Sequence, residues 1–289
     1  MRALNLRAIA LVFLSVSLFA GAASAADDSA KLSSLLPAKI KAGGELVIGA
    51  LMDVPPVDFY SMDGDPTGIN PDLAAAVGDL LGVKVSFRQY DFAGLRPALQ
   101  AGQIDLIWDS MNDTVARQEV LDFIDYMAAP DTLLLAAGNP QHIQSLGDMC
   151  GMRVATVRGA AQINRVEAAS DACMTHGEEA IELKLFGSAG DGRLQVQTGR
   201  VDAFIGNGPV LFYLAKTADD GKTFSALKLE DDRAAYYGIA FRKEDTQLRK
   251  AVVTALQVLM DGGEYETVLR KYGLDDLALS QPLINSAGK

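Results

Sequence analysis

Leu99-Gln100-Ala101-Gly102-Gln103-Ile104-Asp105-Leu106-Ile107-Trp108-Asp109-Ser110 has a second version later in the chain, Val196-Gln197-Thr198-Gly199-Arg200-Val201-Asp202-Ala203-Phe204-Ile205-Gly206-Asn207. Each reads as the end of a helix, a glycine in the closing position, a short turn and an apolar run of strand length. Each run finishes in polar residues, Asp109 and Ser110 in one and Asn207 in the other. A pattern that occurs twice suggests a chain built from two similar halves.

The segments upstream agree. Glu45 to Ala50 reads as a strand, and the stretch after it as irregular. Asn70 is placed to cap a helix with Pro71 at its first position. That helix reaches about Leu81, and Val83 to Arg88 is the next strand. In the second half, Arg153 to Val157 is a strand, and Gly159-Ala160-Ala161-Gln162 opens a helix reaching about Met174. Strands that alternate with helices imply an α/β fold with largely parallel sheets. Ligands of open α/β sheets bind beyond the carboxyl ends of the strands, where both halves place their polar residues. A cleft between two lobes would bring those ends together.

Tyr126-Met127-Ala128-Ala129-Pro130-Asp131 breaks both helix and strand patterns, and Asp231-Asp232-Arg233 precedes a strand from Tyr236 to Phe241. Leu248 to Met260 and Tyr265 to Tyr272 are amphipathic helices. The expected layout is lobe one from residues 26–130 and 234–289, lobe two from 131–233, and a hinge of two crossings.

Residues 1–25 have the pattern of a secretory signal peptide. Arg2 and Arg7 are followed by an apolar run from Ala8 to Ala20 and by the small residues Gly21-Ala22-Ala23-Ser24-Ala25. The expected cut follows Ala25, with Ala26 as the alternative. The run is too short for a membrane span, and no later stretch approaches the ~20 apolar residues one needs. No cysteine near the cut could accept a lipid. The expectation is a free protein outside the cytoplasm, which in a Gram-negative cell means the periplasm.

The whole chain has 26 basic and 37 acidic residues, a formal net charge of −11, and loss of Arg2 and Arg7 makes the exported part more acidic still. Nucleic acid and anionic membranes are poor partners for such a chain. Cys150 and Cys173 are its two cysteines, and in an oxidising compartment one pair is most simply a disulfide. The alternatives are a metal site or a catalytic thiol, but His142 and His176 lack metal-ligand spacing. No Walker A pattern occurs, and no cofactor or metal is implied.

Thr114 can cap a short helix that carries Arg117 in its first turn, where a cation opposes the helix dipole. Arg117 is then either a surface residue paired with Glu119 or Asp122, or the grip on a carboxylate held by two bonds. Gly159-Ala160-Ala161 at a helix start offers free backbone N–H groups, a weak anion signal. Ser110 and Asn112 follow a strand end and could be turn residues or ligand contacts. Phe92 could be core or a ligand platform. Trp108 sits mid-strand, so burial is its default. Asp109, at the end of an apolar strand, must be exposed or paired. If it faces the cleft, it asks for a cation.

These residues are similar to a known family. The signatures are Met111-Asn112-Asp113-Thr114-Val115-Ala116-Arg117, Val120-Leu121-Asp122-Phe123, Gly199-Arg200-Val201-Asp202-Ala203, Pro66-Thr67-Gly68-Ile69-Asn70-Pro71-Asp72-Leu73 and Tyr237-Gly238-Ile239-Ala240. Together they resemble the extracellular solute-binding proteins of polar-amino-acid ABC transporters, bacterial solute-binding family three. The resemblance covers nearly all of the exported chain. It implies the type II periplasmic binding protein fold: two Rossmann-like lobes joined by a two-strand hinge that close on a ligand, as binding proteins of this kind do.

The resemblance also implies roles. Arg117 would bind a ligand α-carboxylate, helped by Asn112, by the backbone at Ala161 with Gln162 beside it, and by stacking on Phe92. It implies a small-molecule ligand, a membrane permease as partner, and a monomer that is a binding protein and not an enzyme. A periplasmic dehydratase or a ligand-presenting sensory protein on the same scaffold is the rival. Two positions depart from the family pattern. Asn207 stands where an acid usually binds the ligand ammonium, and Asp109 where the family has a small residue. The expectation is that Asp109 supplies the charge lost at Asn207, with Ser110 beside it. Val54, at a position often aromatic in the family, is also unusual.

Overall fold

The structure, a computed structural model, describes residues 32–230 and 235–288. The expected signal peptide and the crossing residues Asp231, Asp232 and Arg233 lie outside the described residues. The first part of the chain runs α1 (Ala38–Gly43), β1 (Glu45–Ala50), β2 (Asp53–Val54), β3 (Asp58–Tyr60), β4 (Pro66–Thr67), α2 (Ile69–Leu81), β5 (Lys84–Gln89), α3 (Phe92–Gln100), β6 (Leu106–Ile107), α4 (Val115–Gln118) and β7 (Leu121–Ala128). The middle part runs β8 (Asp131–Ala136), β9 (Arg153–Val157), α5 (Gln162–Thr175), β10 (Glu182–Phe186), α6 (Ala189–Gln197), β11 (Ala203–Asn207), α7 (Gly208–Thr217) and β12 (Phe224–Lys228). The chain ends with β13 (Tyr236–Arg242), α8 (Thr246–Asp261), α9 (Glu264–Lys271) and β14 (Ala278–Ile284).

Two sheets organise these elements. One has the order β14-β7-β13-β6-β1-β5 and the other β10-β9-β11-β8-β12. Started from β5 and from β10, the two orders correspond strand for strand. In each, the first three strands are parallel. The fourth, β13 or β8, is antiparallel to its neighbours on both sides. These fourth strands connect the sheets: β8 follows β7 after Ala129 and Pro130, and β13 returns after β12. The sheets are therefore mixed, not largely parallel. The βα units supply the parallel strands, and each crossing strand enters from the opposite end.

The repeated segment has the same local structure twice. Gly102 (φ 68°) and Gly199 (φ 67°) both turn left-handed just past their helices. A side chain there would cost roughly 1–2 kcal/mol. Asp105 Oδ2 accepts the Val47 N–H at 2.9 Å while its own N–H donates to the Val47 carbonyl at 2.8 Å. Asp202 does the same to Arg153, with both bonds at 2.9 Å. Each turn is thus pinned to the middle one of the three parallel strands of its sheet, β1 or β9, and this fixes where the next strand end lies.

α2 shows how helices cover the first sheet. Ile69, Leu73, Val77 and Leu81 repeat every four residues and are fully buried. The expected cap at Asn70 is not made. The cap position is Gly68, and Asn70 points inward, its Nδ2 donating to Asp58 at 2.9 Å and its Oδ1 accepting from the Tyr126 hydroxyl at 2.5 Å. Three other local readings change. The stretch after Ala50 forms the small sheet β2-β3-β4. β7 stays a strand to Ala128, through the expected break. Trp108 lies just past β6, fully buried edge-on to Tyr126 at 5.8 Å. Cys150 and Cys173 form a disulfide, Cα atoms 5.6 Å apart, tying the approach to β9 onto α5. No helix of the described residues is long and apolar enough to cross a membrane.

Candidate functional site

A cavity of about 840 Å³, open mouth included, lies between the carboxyl ends of the two sheets. Phe92, Ser110, Asn112 and Arg117 line it from the first sheet's side, and Ala161, Gln162 and Asn207 from the second's. Asp109 does not line it.

Arg117 is positioned by short-range bonds. The Thr114 hydroxyl caps α4 by accepting the Arg117 N–H at 3.2 Å. The guanidinium donates through Nη1 to the Asn112 carbonyl at 2.7 Å and lies 5.2 Å from the centre of the Phe92 ring. Phe92 follows Asp91, whose carboxylate caps α3 by accepting the Gly94 N–H at 2.7 Å. Phe92 therefore supports the arginine and does not offer its ring as a free platform. Surface pairing with Asp122 is not made, because Asp122 is engaged by Lys243 and Arg249. Burial lowers the Arg117 pKa to about 10, which leaves it charged at neutral pH. The guanidinium has five N–H donors, so the two bonds it makes to Asn112 and Gly159 leave capacity for a carboxylate.

Two hydrogen bonds bridge the cavity. Arg117 Nη2 donates to the Gly159 carbonyl at 3.2 Å, and Asn207 Nδ2 donates to the Ser110 carbonyl at 3.3 Å. On the second sheet's side, Ala161 occupies the cap position of α5 with no side-chain cap. Buried Gln162 donates from Nε2 to Asn207 Oδ1 and to Asp131 Oδ1, both at 2.7 Å. Asp131 also pairs with Arg165 at 3.0 Å. Asn207 and Asp131 face each other across β11 and β8. A second acid at position 207 would set like charges opposite one another, a physical reason for the amide.

The expectation for Asp109 is corrected. Its side chain is fully buried beneath the wall, next to the equally buried Asp58. Asp58 accepts the Met52 N–H at 3.0 Å and the Asn70 amide at 2.9 Å. Burial raises both carboxyls. Asp109 rises to about 6, partly offset by backbone N–H groups of Ser110 and Leu51. Asp58 rises well beyond its ordinary range, from burial first and then from the Asp109 charge beside it. Asp109 Oδ2 meets no N–H or hydroxyl donor among the described residues, and a protonated Asp58 supplies one. The pair shares a proton and carries one charge at most near neutrality. It is a buried structural pair and does not take the place of an acid at Asn207.

Sequence reasoning missed two charged residues of the wall, Asp53 and Arg193. Asp53, on β2, is exposed, and burial of its carboxyl still raises its pKa. Arg193, on α6, is half-buried, and burial lowers its pKa, opposed by the Asp53 charge. The signal for Arg193 was available. It is the pattern that singled out Arg117, a cation near the start of a capped helix, here with Ser188 as the cap. Asp53 follows the carboxyl end of β1, the kind of position searched elsewhere.

The chain matches the bacterial extracellular solute-binding proteins, family 3, over residues 46–275. It belongs to that family. Among relatives, the arginine-binding protein ArgT of Corynebacterium glutamicum is 28% identical over 262 residues, 90% of this chain and 84% of that one. An ancestral arginine-binding protein bound to arginine superposes with a TM-score of 0.70 at 28% identity, over 80% of this chain and 98% of that one. An ancestral amino-acid-binding protein described as a precursor of cyclohexadienyl dehydratase superposes at 0.69 with 29% identity, over 81% and 97%. The type II periplasmic binding protein architecture follows from the family and from the matched sheets.

Proposed function

We propose that this chain is a periplasmic solute-binding protein that captures an amino acid or amino-acid-like carboxylate between two lobes and delivers it to an ABC transporter permease. Lobe one comprises residues 26–130 and 234–289, and lobe two residues 131–233. The mature protein works as a monomer, and residues 1–25 are its export signal. Closure hides the ligand and creates the surface the permease reads, and it requires a ligand that favours the closed state.

The observation that carries this reading is Arg117. Its fork sits in the cavity wall on Phe92, held by the Asn112 carbonyl, and it reaches the opposite side at Gly159. An arginine held there binds a carboxylate and links the lobes at once. Asn112, Ser110, Gln162, Asn207 and the backbone at Ala161 supply the remaining polar contacts. A dehydratase would need a proton donor aligned with the ligand. Asp109, whose pKa of about 6 would suit that task, lies beneath the wall, and the acid that does line it, Asp53, is exposed.

The test is calorimetry on ligand identified by mass spectrometry from freshly purified protein. Arg117→Ala should weaken binding by ~100-fold or more, as loss of one partner of a desolvated charge pair does. Undiminished affinity, or a recovered compound without a carboxylate, would overturn the proposal.

A further inference from the structure

The cavity wall holds two arginines on opposite sides, Arg117 on α4 and Arg193 on α6. The remaining charged residue of the wall is Asp53, which is exposed. The single charge of the Asp58–Asp109 pair lies beneath the wall and acts on Arg117 from behind. The wall also has the apolar residues Leu51, Val54, Pro55, Val210 and Leu211. Among the described residues, a cationic side chain on the ligand would find Asp53 as the one acid of the wall.

Arg193 has no accounted role in the fold. Among the described residues its guanidinium has no carboxylate within ion-pair distance, and its interaction with Asp53 acts at longer range. The side chain folds back over the first turn of its own helix: a Cβ placed on Gly190 would lie 3.8 Å from Arg193 Nη2. A cation there opposes the helix dipole. A half-buried guanidinium also loses part of its hydration, which a bonded anion restores most fully.

We propose that the ligand carries two anionic groups, one on Arg117 and the second on Arg193. The compound is then an acidic amino acid or a plain dicarboxylate. Arg193 sets specificity by rewarding the second anion, and it does so across the cleft from Arg117. This rests on the binding-protein reading above and names the ligand class of that same cavity.

Calorimetry with L-glutamate, L-aspartate, glutarate, succinate, L-glutamine and L-arginine tests it on wild type, Arg117→Ala, Arg193→Ala and Arg193→Lys. In wild type a compound with two carboxylates should bind tightest. L-glutamate or L-aspartate in that place identifies an acidic amino acid, and glutarate or succinate a plain dicarboxylate. Arg193→Ala should weaken the compounds with two carboxylates by about 30- to 100-fold, while L-glutamine changes less than about threefold. Arg193→Lys should recover part of the loss, since it keeps the charge and loses the fork. If L-arginine or L-glutamine binds tightest and still depends on Arg117, the binding-protein reading stands and this inference falls. The same follows if Arg193→Ala weakens compounds with one and with two carboxylates equally, or if nothing in the panel binds folded wild-type protein, since the binding-protein reading covers a wider class of carboxylates. If Arg117→Ala leaves binding unchanged, both fall together.

Discussion

The segments Leu99–Ser110 and Val196–Asn207 share a helix end, a left-handed glycine, an aspartate clamp and a strand. They differ at the tip. The first ends in an acid turned inward, Asp109, fully buried against Asp58. The second ends in an amide that reaches the cavity and bridges to Ser110. One backbone device thus presents two tips: at the first the acid turns away and Ser110 meets the ligand space, and at the second the amide itself does. The backbone sets where a strand ends. What that end does depends on the side chains packed around it. Asp58 and Asn70 hold the first tip, and Asp131 and Gln162 hold the second.

The largest effect should come from breaking the first tip. Asp58→Ala removes the acceptor of the Met52 N–H and the Asn70 amide and the proton donor to Asp109, all in a fully buried cluster. Each orphaned buried group costs about 1–3 kcal/mol, so a loss of about 4 kcal/mol is expected from urea unfolding. Asp58→Asn keeps an acceptor and a donor and should stay within about 1 kcal/mol of wild type. Equal loss in both variants would mean that the shared proton, and not the shape of the cluster, matters.

Much of this comparison was legible in the sequence. The strand limits Glu45–Ala50 and Arg153–Val157 follow from apolar runs bounded by turns. The disulfide follows from one cysteine pair and the expected export signal. Four things were not legible. β2, β3 and β4 are two or three residues long, too short for any periodicity. β14 contains Pro282 and is largely exposed, and it pairs with β7 at the sheet edge, where proline is tolerated. The inward turn of Asp109 depends on Asp58, far away in the chain, so local pattern left it free to face the cleft. Asn70 looked like a cap because asparagine before proline usually is one. The residues that claim it, Asp58 and Tyr126, come from other elements.

The next effect is a pH dependence of unusual sign. The folded Asp109 has a pKa of about 6 against the ordinary 3.8, and Asp58 is higher still. The folded protein therefore binds protons more tightly than the unfolded chain, and this pair's contribution falls as pH rises from about 4 through 6. Asp202 works in the opposite sense. Its hydrogen bonds to Arg153 lower its pKa, so its contribution is lost as pH falls. Relative to the Asp58→Asn, Asp109→Asn double variant, wild type should lose about 2 kcal/mol between pH 4.5 and 7.5 from Asp109 alone, and more with Asp58 included, in urea unfolding. A difference that does not change with pH would show that the pair does not hold an extra proton in the fold.

The smallest effect sharpens the second tip. Asn207 Oδ1 already accepts from Gln162, and its amide donates to Ser110. Asn207→Asp exchanges that bridge for a charge set opposite Asp131, so the cleft loses one contact. The charge helps only a ligand that brings an ammonium to this tip, because charge-assisted bonds are roughly twice as strong as neutral ones. L-glutamate and glutarate differ in that one group. Their affinity ratio cancels the lost bridge and the repulsion from Asp131, which both compounds feel alike. In Asn207→Asp the ratio should move about tenfold toward L-glutamate, equivalent to about 1.4 kcal/mol. An unmoved ratio would place the ligand amine away from Asn207. The neutral tip would then be explained by Asp131 alone, because the counter-charge at this pair of positions, Arg165, is already engaged by Asp131.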